Sequence, residues 1–297
     1  MCGIVGLFLK NPQLEPQLGA LLASMLGTMT DRGPDSAGFA VYGSAAEDLK
    51  LTLRGPSEAA LRAGIAALAA ATGRSFPIEM RDTHAVLSMP AEAEGEIRTW
   101  LRASAPGLDV VSAGRRMEIY KEVGLPAAVA ARFDLAGMAG SHGIGHTRMA
   151  TESAVTTDGA HPFSTGTDEC LVHNGSLSNH NDLRRRLGRA GLSFSTQNDT
   201  EVAAGYLTWR MREGASLRQA LEASLDDLDG FFTFVVGTET GFAVLRDPIA
   251  CKPAVMAETD DYVAFGSEYR ALVGLPGIAG ATVFEPEPAR VYVWERH

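Results

Sequence analysis

Directly behind Met1 and Cys2 the chain enters an apolar run, Ile4-Val5-Gly6-Leu7-Phe8-Leu9. Such a run at the terminus suits a buried strand, which draws the chain's beginning into the core and leaves Cys2 at the strand's first position. The small Cys2 side chain permits removal of Met1, after which Cys2 is residue one. A free α-amine, with a pKa of about 7.7–8.0, accepts the thiol's proton near neutral pH, directly or through one water. Nucleophile and base then share one residue. The alternative at this stretch is a buried, inert cysteine.

A chain of 297 residues is long enough to bury an ample core, as one large domain or a domain with a sizeable insertion. Its 26 Lys and Arg against 36 Asp and Glu leave a formal net charge of -10, which argues against general affinity for nucleic acid or anionic membranes. The three cysteines, Cys2, Cys170 and Cys251, form no CxxC pair and suggest a reducing compartment; the latter two lack local activating partners and read as structural. No basic leader and no apolar run of roughly 20 residues occurs, so a cytoplasmic protein is expected. The histidines lack metal-ligand spacing, and no Walker loop or Rossmann fingerprint follows a strand, so this chain is expected to carry no metal or nucleotide cofactor.

Apolar residues at helical spacing predict a helix over 14–29, ending at the turn Asp31-Arg32-Gly33-Pro34-Asp35-Ser36-Ala37-Gly38 before a strand at 39–42. Arg32 is either a surface charge or a buried clamp holding this loop near Cys2. From 48 to 135 the pattern changes to strands near 49–53, 84–89 and 108–111, with helices over 57–71 and 91–102. This predicts a small inserted α/β unit, structural or a docking surface for a partner protein. The flanking segments, 1–47 and 136–297, then form the main domain.

Side chains suited to chemistry return at Gly145-His146-Thr147-Arg148-Met149-Ala150-Thr151, where Arg148 offers a planar fork for a substrate carboxylate or a protein acid. Cys170-Leu171-Val172-His173-Asn174-Gly175 is a short strand ending in a turn-forming pair. Its ordinary reading is a hairpin; its functional one is an oxyanion hole built from the Asn174 amide and the Gly175 N–H. In Asn198-Asp199-Thr200-Glu201, Asp199 is either a helix N-cap or a carboxylate for a substrate ammonium. Arg148 and Asp199 together suit the two charged ends of an amino acid. A basic-faced helix over 178–191 reads as a solvated face, and helices over 198–212 and 217–228 precede strands near 231–236, 241–245, 262–265 and 290–294.

Taken together, Met1-Cys2-Gly3-Ile4-Val5-Gly6, Arg32-Gly33-Pro34-Asp35-Ser36-Ala37-Gly38, His146-Thr147-Arg148, His173-Asn174-Gly175 and Asn198-Asp199-Thr200-Glu201 resemble the class II glutamine amidotransferases, with a weaker extension to Phe265-Gly266-Ser267-Glu268. The resemblance implies an α+β fold, the four-layer αββα N-terminal-nucleophile hydrolase sandwich, in which Cys2 attacks the side-chain amide of glutamine. It implies that Asn174 and Gly175 form the oxyanion hole, that Arg148 binds the α-carboxylate, Asp199 the α-ammonium and Thr151 a further part of glutamine, and that Arg32 steadies the Cys2 loop. Met149 stands where many relatives have an aromatic residue. The long insertion and Ile119-Tyr120-Lys121-Glu122-Val123-Gly124 look more like the separate amidotransferase subunits related to glutamate synthase, including that of N-methylglutamate synthase. That likeness implies a hetero-oligomer in which FMN and an iron–sulfur cluster sit on the synthase partner. Two other functions share these residues: an amidohydrolase of another amide, and a non-catalytic glutamine sensor or scaffold.

Overall fold

The computed structural model describes residues 2–150 and 154–296. In chain order, β1 (Gly3–Leu9), α1 (Leu18–Gly27) and β2 (Ser36–Tyr42) lead into β3 (Leu49–Arg54), α2 (Glu58–Thr72), β4 (Ile78–Arg81), β5 (His84–Met89), α3 (Glu94–Ser104) and β6 (Asp109–Gly114). Then come β7 (Met117–Val123), α4 (Pro126–Arg132), β8 (His142–Arg148), β9 (Phe163–Gly166) and β10 (Glu169–Leu177). The helices α5 (His180–Arg189), α6 (Asp199–Arg212) and α7 (Leu217–Asp227) precede β11 (Gly230–Gly237), β12 (Gly241–Arg246), β13 (Val255–Glu258), β14 (Tyr262–Gly266), β15 (Thr282–Phe284) and β16 (Val291–Glu295).

All seven residues of β1 are buried, because the strand has a core on each face. Ile4 and Phe8 point into a layer shared with Val172, Val235, Phe242 and Val244 of the opposing sheet. Val5, Leu7 and Leu9 pack instead with Leu18, Leu22 and Leu26 of α1. Strands buried on both faces read as continuous apolar runs rather than alternating ones, which is why the first stretch has no polar face. The sheet holding β1 has the order β15-β13-β14-β1-β8-β2-β7, and a second sheet, β16-β12-β11-β10-β9, lies against it. The outer face of the second sheet is covered by α5, α6 and α7 through Leu183, Leu187, Val202, Tyr206 and Leu221. The four layers are therefore helix, sheet, sheet, helix, as the resemblance implied.

The inserted unit is a βαββαβ arrangement with the antiparallel order β4-β5-β3-β6 and its own core of Leu51, Leu53, Leu61, Ile65, Leu87 and Ile97. It is shorter than the expected 48–135. Its sheet closes at Gly114, whereas β7 pairs with β2 along its length, from Ser36↔Val123 to Tyr42↔Met117, and Val129 of α4 packs with the α1 core. Residues 117–132 thus belong to the main sandwich. Strand β4 was not expected: its four residues carry only two apolar side chains in alternation, Ile78 and Met80, too short a run to stand out. The first helix starts at Leu18, four residues later than its apolar spacing suggested, because a 3-10 turn containing Pro16 occupies 12–17. Among the described residues no helix is long and apolar enough to cross a membrane, and no group of three His, Cys, Asp or Glu side chains could hold a metal.

Candidate active site

The start of β1 lies between β8 and β14, and register places the proposed site residues around it. Gly3 stands opposite Thr147, Val5 opposite Gly266, and Ser36 of β2 opposite Arg148. The Cys2 carbonyl is held from two sides: Arg32 Nε donates to it at 3.0 Å and Asn174 Nδ2 at 3.2 Å. These contacts come from the loop after α1 and from the opposing sheet, so both layers fix the residue that carries the thiol. Arg32 is nearly buried and its Nη1 pairs with Glu268 Oε1 at 2.8 Å. Glu268 in turn accepts from Arg270 Nε at 2.7 Å. The surface-charge reading of Arg32 is thereby set aside in favour of the clamp. Next to it, Ser267 closes a reciprocal pair with Ile4, its Oγ accepting from Ile4 N and its N–H donating to Ile4 O, both at 2.9 Å. Replacing Arg32 with lysine keeps a charge for Glu268 but loses the planar reach to Cys2. We expect Cys2 alkylation by iodoacetamide to slow about tenfold, roughly one charged hydrogen bond; an unchanged rate would show that the clamp does not position the thiol.

Asn174-Gly175 does not form a turn. Strand β10 continues to Leu177, pairing with β11 at Asn174↔Thr233 and Gly175↔Phe232. Gly175 has φ +156°, and a Cβ there would stand 1.9 Å from Phe231 O, so position 175 accepts no side chain. Strand β9 pairs with β10 only as far as Leu171. Leu177 N–H, on the edge away from β11, donates to Asp199 Oδ2 at 3.0 Å. Successive N–H groups of a ladder point to opposite edges, so Gly175 N–H, two residues earlier, faces that same uncovered edge.

The cap of α6 is Asn198, whose side chain accepts from Thr200 N at 2.9 Å, and this releases Asp199 from the capping reading. Burial alone would raise the Asp199 pKa, but His173 and the Leu177 N–H outweigh it and hold the carboxyl at about 2. His173 Nδ1 lies 3.7 Å from Asp199 Oδ1 and 3.1 Å from Thr200 Oγ1. We assign the hydrogen bond to Thr200, since 3.7 Å is beyond that reach, and treat the carboxylate contact as electrostatic. Asp199 is therefore ionised throughout the neutral range and able to hold a cation. Thr200 Oγ1 also meets His161 Nε2 at 3.3 Å, and His161 stacks on His146 with ring centres 3.9 Å apart.

Arg148 Nη1 donates to Ala154 O at 3.4 Å, and Asp35 holds the surrounding backbone: its N–H donates to Arg148 O at 3.1 Å and its Oδ2 accepts from Ala150 N at 2.8 Å. Thr151, the further glutamine contact implied by the resemblance, lies outside the described residues. Cys170 is buried with its Sγ 3.3 Å from Tyr42 Oη, and burial pushes its thiol up to about 12, so it is unreactive. Cys251 is exposed rather than packed in the core. Asp35, Ser267, Glu268 and the histidines around β10 were given no role from the sequence, although Asp35, Ser267-Glu268, His146 and His173 lie inside motifs that were quoted.

A family model described as a glutamine amidotransferase domain matches residues 146–274. The chain is 64% identical over 296 residues to the glutamine amidotransferase-like protein GlxB of Rhizobium meliloti (strain 1021), covering 99% of this chain and 98% of that one. The chain belongs to the glutamine amidotransferase family. A putative glutamine amidotransferase of Methanothermobacter thermautotrophicus is 33% identical, covering 98% of this chain and 99% of that one. Among solved structures, the glutamine phosphoribosylpyrophosphate amidotransferase of B. subtilis, complexed with ADP and GMP, superposes with a TM-score of 0.63 at 21% identity. That match covers 99% of this chain and 47% of the other, so the chain spans about half the length of that enzyme, and the likeness is one of fold. The αββα layers thus share the fold of that amidotransferase, and the chain is an enzyme of glutamine amidotransfer.

Proposed function

We propose that this amidotransferase hydrolyses glutamine at Cys2 and delivers the ammonia to a separate synthase subunit of glutamate synthase type. The observation that carries the first half is the double hold on the Cys2 carbonyl, since one of its two donors is the side-chain amide of Asn174. An amide nitrogen has two hydrogens. One fixes the nucleophilic residue and the second is available to the oxyanion, joined by the Gly175 N–H on the open edge of β10.

With Met1 removed, the Cys2 amine takes the thiol proton and the thiolate attacks the glutamine carboxamide. The oxyanion faces Asn174 and Gly175, and the amine returns the proton to the departing ammonia. Water then adds to the γ-glutamyl thioester with the same amine as base, releasing glutamate and the thiol. Arg148 and the ionised Asp199 take the α-carboxylate and α-ammonium, a pairing that favours a free amino acid over other amides.

Support for the second half is that GlxB and the Methanothermobacter protein are spanned over 98% and 99% of their own lengths, so in both the amidotransferase unit stands as a separate polypeptide. FMN and an iron–sulfur cluster would then reside on the partner.

The deciding experiment is intact mass after treatment with a glutamine-like diazoketone, comparing wild type with Cys2→Ala and with glutamine as competitor. One adduct on a chain lacking Met1, absent from the variant and protected by glutamine, is expected. No adduct would sink the glutaminase reading, and equal reactivity toward amides lacking the α-ammonium would point to another amide. The partner is tested by tagging this chain beside candidate synthase subunits: flavin absorption should co-purify and glutaminase activity rise. A colourless eluate with unchanged activity removes the partner and leaves the hydrolysis standing.

A further inference from the structure

Over residues 154–162 the chain returns past the guanidinium of Arg148, and this segment is held largely by side chains outside the proposed site. Lys121, in the middle of β7, is only 8% exposed and directs its ammonium into the segment. Its Nζ donates to Ala160 O at 2.8 Å and Asp158 O at 3.3 Å, and lies 3.5 Å from Pro162 O. The Phe163 ring centre is 4.3 Å away. Taking an ammonium out of water is costly, and carbonyls and a ring face offset only part of that cost. An apolar side chain of the same length would fill the space without it, so packing alone does not account for a charge here.

Two further contacts pin the same segment. Thr157 Oγ1 donates to Glu122 Oε1 on β7. Asp158 pairs at 2.7 Å with Arg54 of β3, in the inserted subdomain, and Arg54 also holds Asp109 at 2.9 Å. On its other side the segment meets the substrate groups: Asn198 Nδ2 donates to Gly159 O at 3.4 Å, next to Asp199. Gly159 packs so closely under Arg148 that a Cβ there would stand 3.1 Å from Nη1. Whatever fixes the backbone near Gly159 therefore fixes the seat of Arg148.

We propose that Lys121, assisted by Arg54, is a positioning residue for glutamine, stapling the return segment against which Arg148 is seated. The inference rests on Arg148 being the carboxylate ligand, as assigned above. It also gives the inserted subdomain a direct bearing on the glutamine site, because Arg54 reaches the segment from β3. Burial pushes the Lys121 ammonium down to about 8; Asp158 and Glu201 oppose that shift, Arg54 adds to it, and Asp109 opposes it. The buried rings of His84 and His161 also face this charge. Since the charged form makes the staple, the staple is complete below about pH 8 and weakens above it.

The test uses the full chain with Cys2 as its first residue, comparing wild type with Lys121→Met and Arg54→Met. Glutaminase kinetics are joined by Cys2 alkylation with two probes: the diazoketone, which must be held by its amino-acid ends, and iodoacetamide, which need not be. Lys121→Met should raise KM and the half-saturating diazoketone concentration about tenfold, and Arg54→Met about threefold, magnitudes typical of one charged hydrogen bond and one partly exposed ion pair. The iodoacetamide rate should not change, and kcat should stay within about threefold of wild type. The wild-type KM should climb between pH 7 and 9, and that climb should shrink in Lys121→Met. Unchanged KM in both variants overturns the proposal, as does loss of iodoacetamide reactivity in step with KM, which would mark general damage. If Lys121→Met does not fold, the Arg54→Met shift decides, because that side chain is partly exposed. A wild-type chain that neither hydrolyses glutamine nor takes the diazoketone would instead undo the assignment of the glutamine site.

Discussion

Asn174→Ala is expected to lower kcat for glutamine hydrolysis by about 10²–10³-fold, equivalent to roughly 2.7–4 kcal/mol of transition-state stabilisation. The KM for glutamine should change little, because the oxyanion exists only after attack, and an interaction made only in the transition state appears in kcat. The resting structure adds a second consequence. Asn174 Nδ2 is one of two donors on the Cys2 carbonyl, so the variant also loosens the nucleophile. Arg32 Nε still holds that carbonyl at 3.0 Å, which should confine the loosening to a minor part of the effect. The two parts separate experimentally: iodoacetamide alkylation of Cys2 reads the thiol's placement, whereas kcat reads both. A large loss in kcat with a small loss in alkylation rate is the expected pattern. Equal losses would make Asn174 a support for Cys2 rather than an oxyanion donor, and an unchanged kcat would remove it from the site. Asn174→Asp should be at least as damaging, since a carboxylate would face both a carbonyl and a developing negative charge.

Much of this site was legible because its residues cluster in short motifs at the ends of strands. The continuous apolar run behind Cys2 marked β1 as a buried strand, and the core on each of its faces explains why the run has no polar side. Local rules failed where tertiary pairing decided the outcome. Asn174-Gly175 is a turn signal in isolation, yet β11 supplies a partner at Thr233 and Phe232, and the chain stays extended through the pair. What the dipeptide recorded was a position with no room for a Cβ, beside an amide that had to point between the sheets.

Asp199 followed the same logic in reverse. Sequence left it between cap and ligand, and the neighbour resolves the choice: Asn198 caps α6, and the carboxylate turns to Leu177 N–H. The reach of the insertion was misjudged because 117–132 alternates strand and helix just as the inserted unit does. Only the pairing of β7 with β2 assigns it to the main sandwich. Glu268 and Lys121 lie in segments that the resemblance quoted, yet their roles were not legible, for a simpler reason. Each acts on a segment far away in sequence, Glu268 on Arg32 and Lys121 on residues 158–162, and no local spacing encodes such a contact.

Lowering the pH from 7.5 to 5.5 should markedly destabilise the fold. His84, His142 and His146 are fully buried and His161 nearly so. Burial pushes the first three down to about 3, and burial above all, with the nearby Lys121 and Arg148 charges adding to it, takes His161 well below its ordinary value. Their hydrogen bonds fit neutral rings. His142 Nε2 donates to Thr238 O at 3.0 Å while its Nδ1 accepts from Ser141 Oγ at 2.9 Å, and His146 Nε2 donates to His173 O at 3.1 Å. In the unfolded chain a histidine has a pKa of about 6.5. The unfolded state therefore binds these protons as pH falls through that value while the folded state does not. The stability is present above about pH 6.5 and is lost progressively below it, toward about pH 3. Each histidine can contribute up to about 1.4 kcal/mol per pH unit, so two to four of them would remove roughly 3–5 kcal/mol per unit, against a total of about 5–15 kcal/mol for an ordinary domain. Asp199 does not compete in this window: its depressed pKa makes stability that is lost only as the pH falls from about 4 toward 2. Urea midpoints at pH 7.5, 6.5 and 5.5 measure the slope. His142→Gln should lower stability at pH 7.5 yet flatten the slope by about one proton, because glutamine cannot take up the charge. Midpoints that do not move between pH 7.5 and 5.5 would mean that the buried rings open to water and protonate without unfolding.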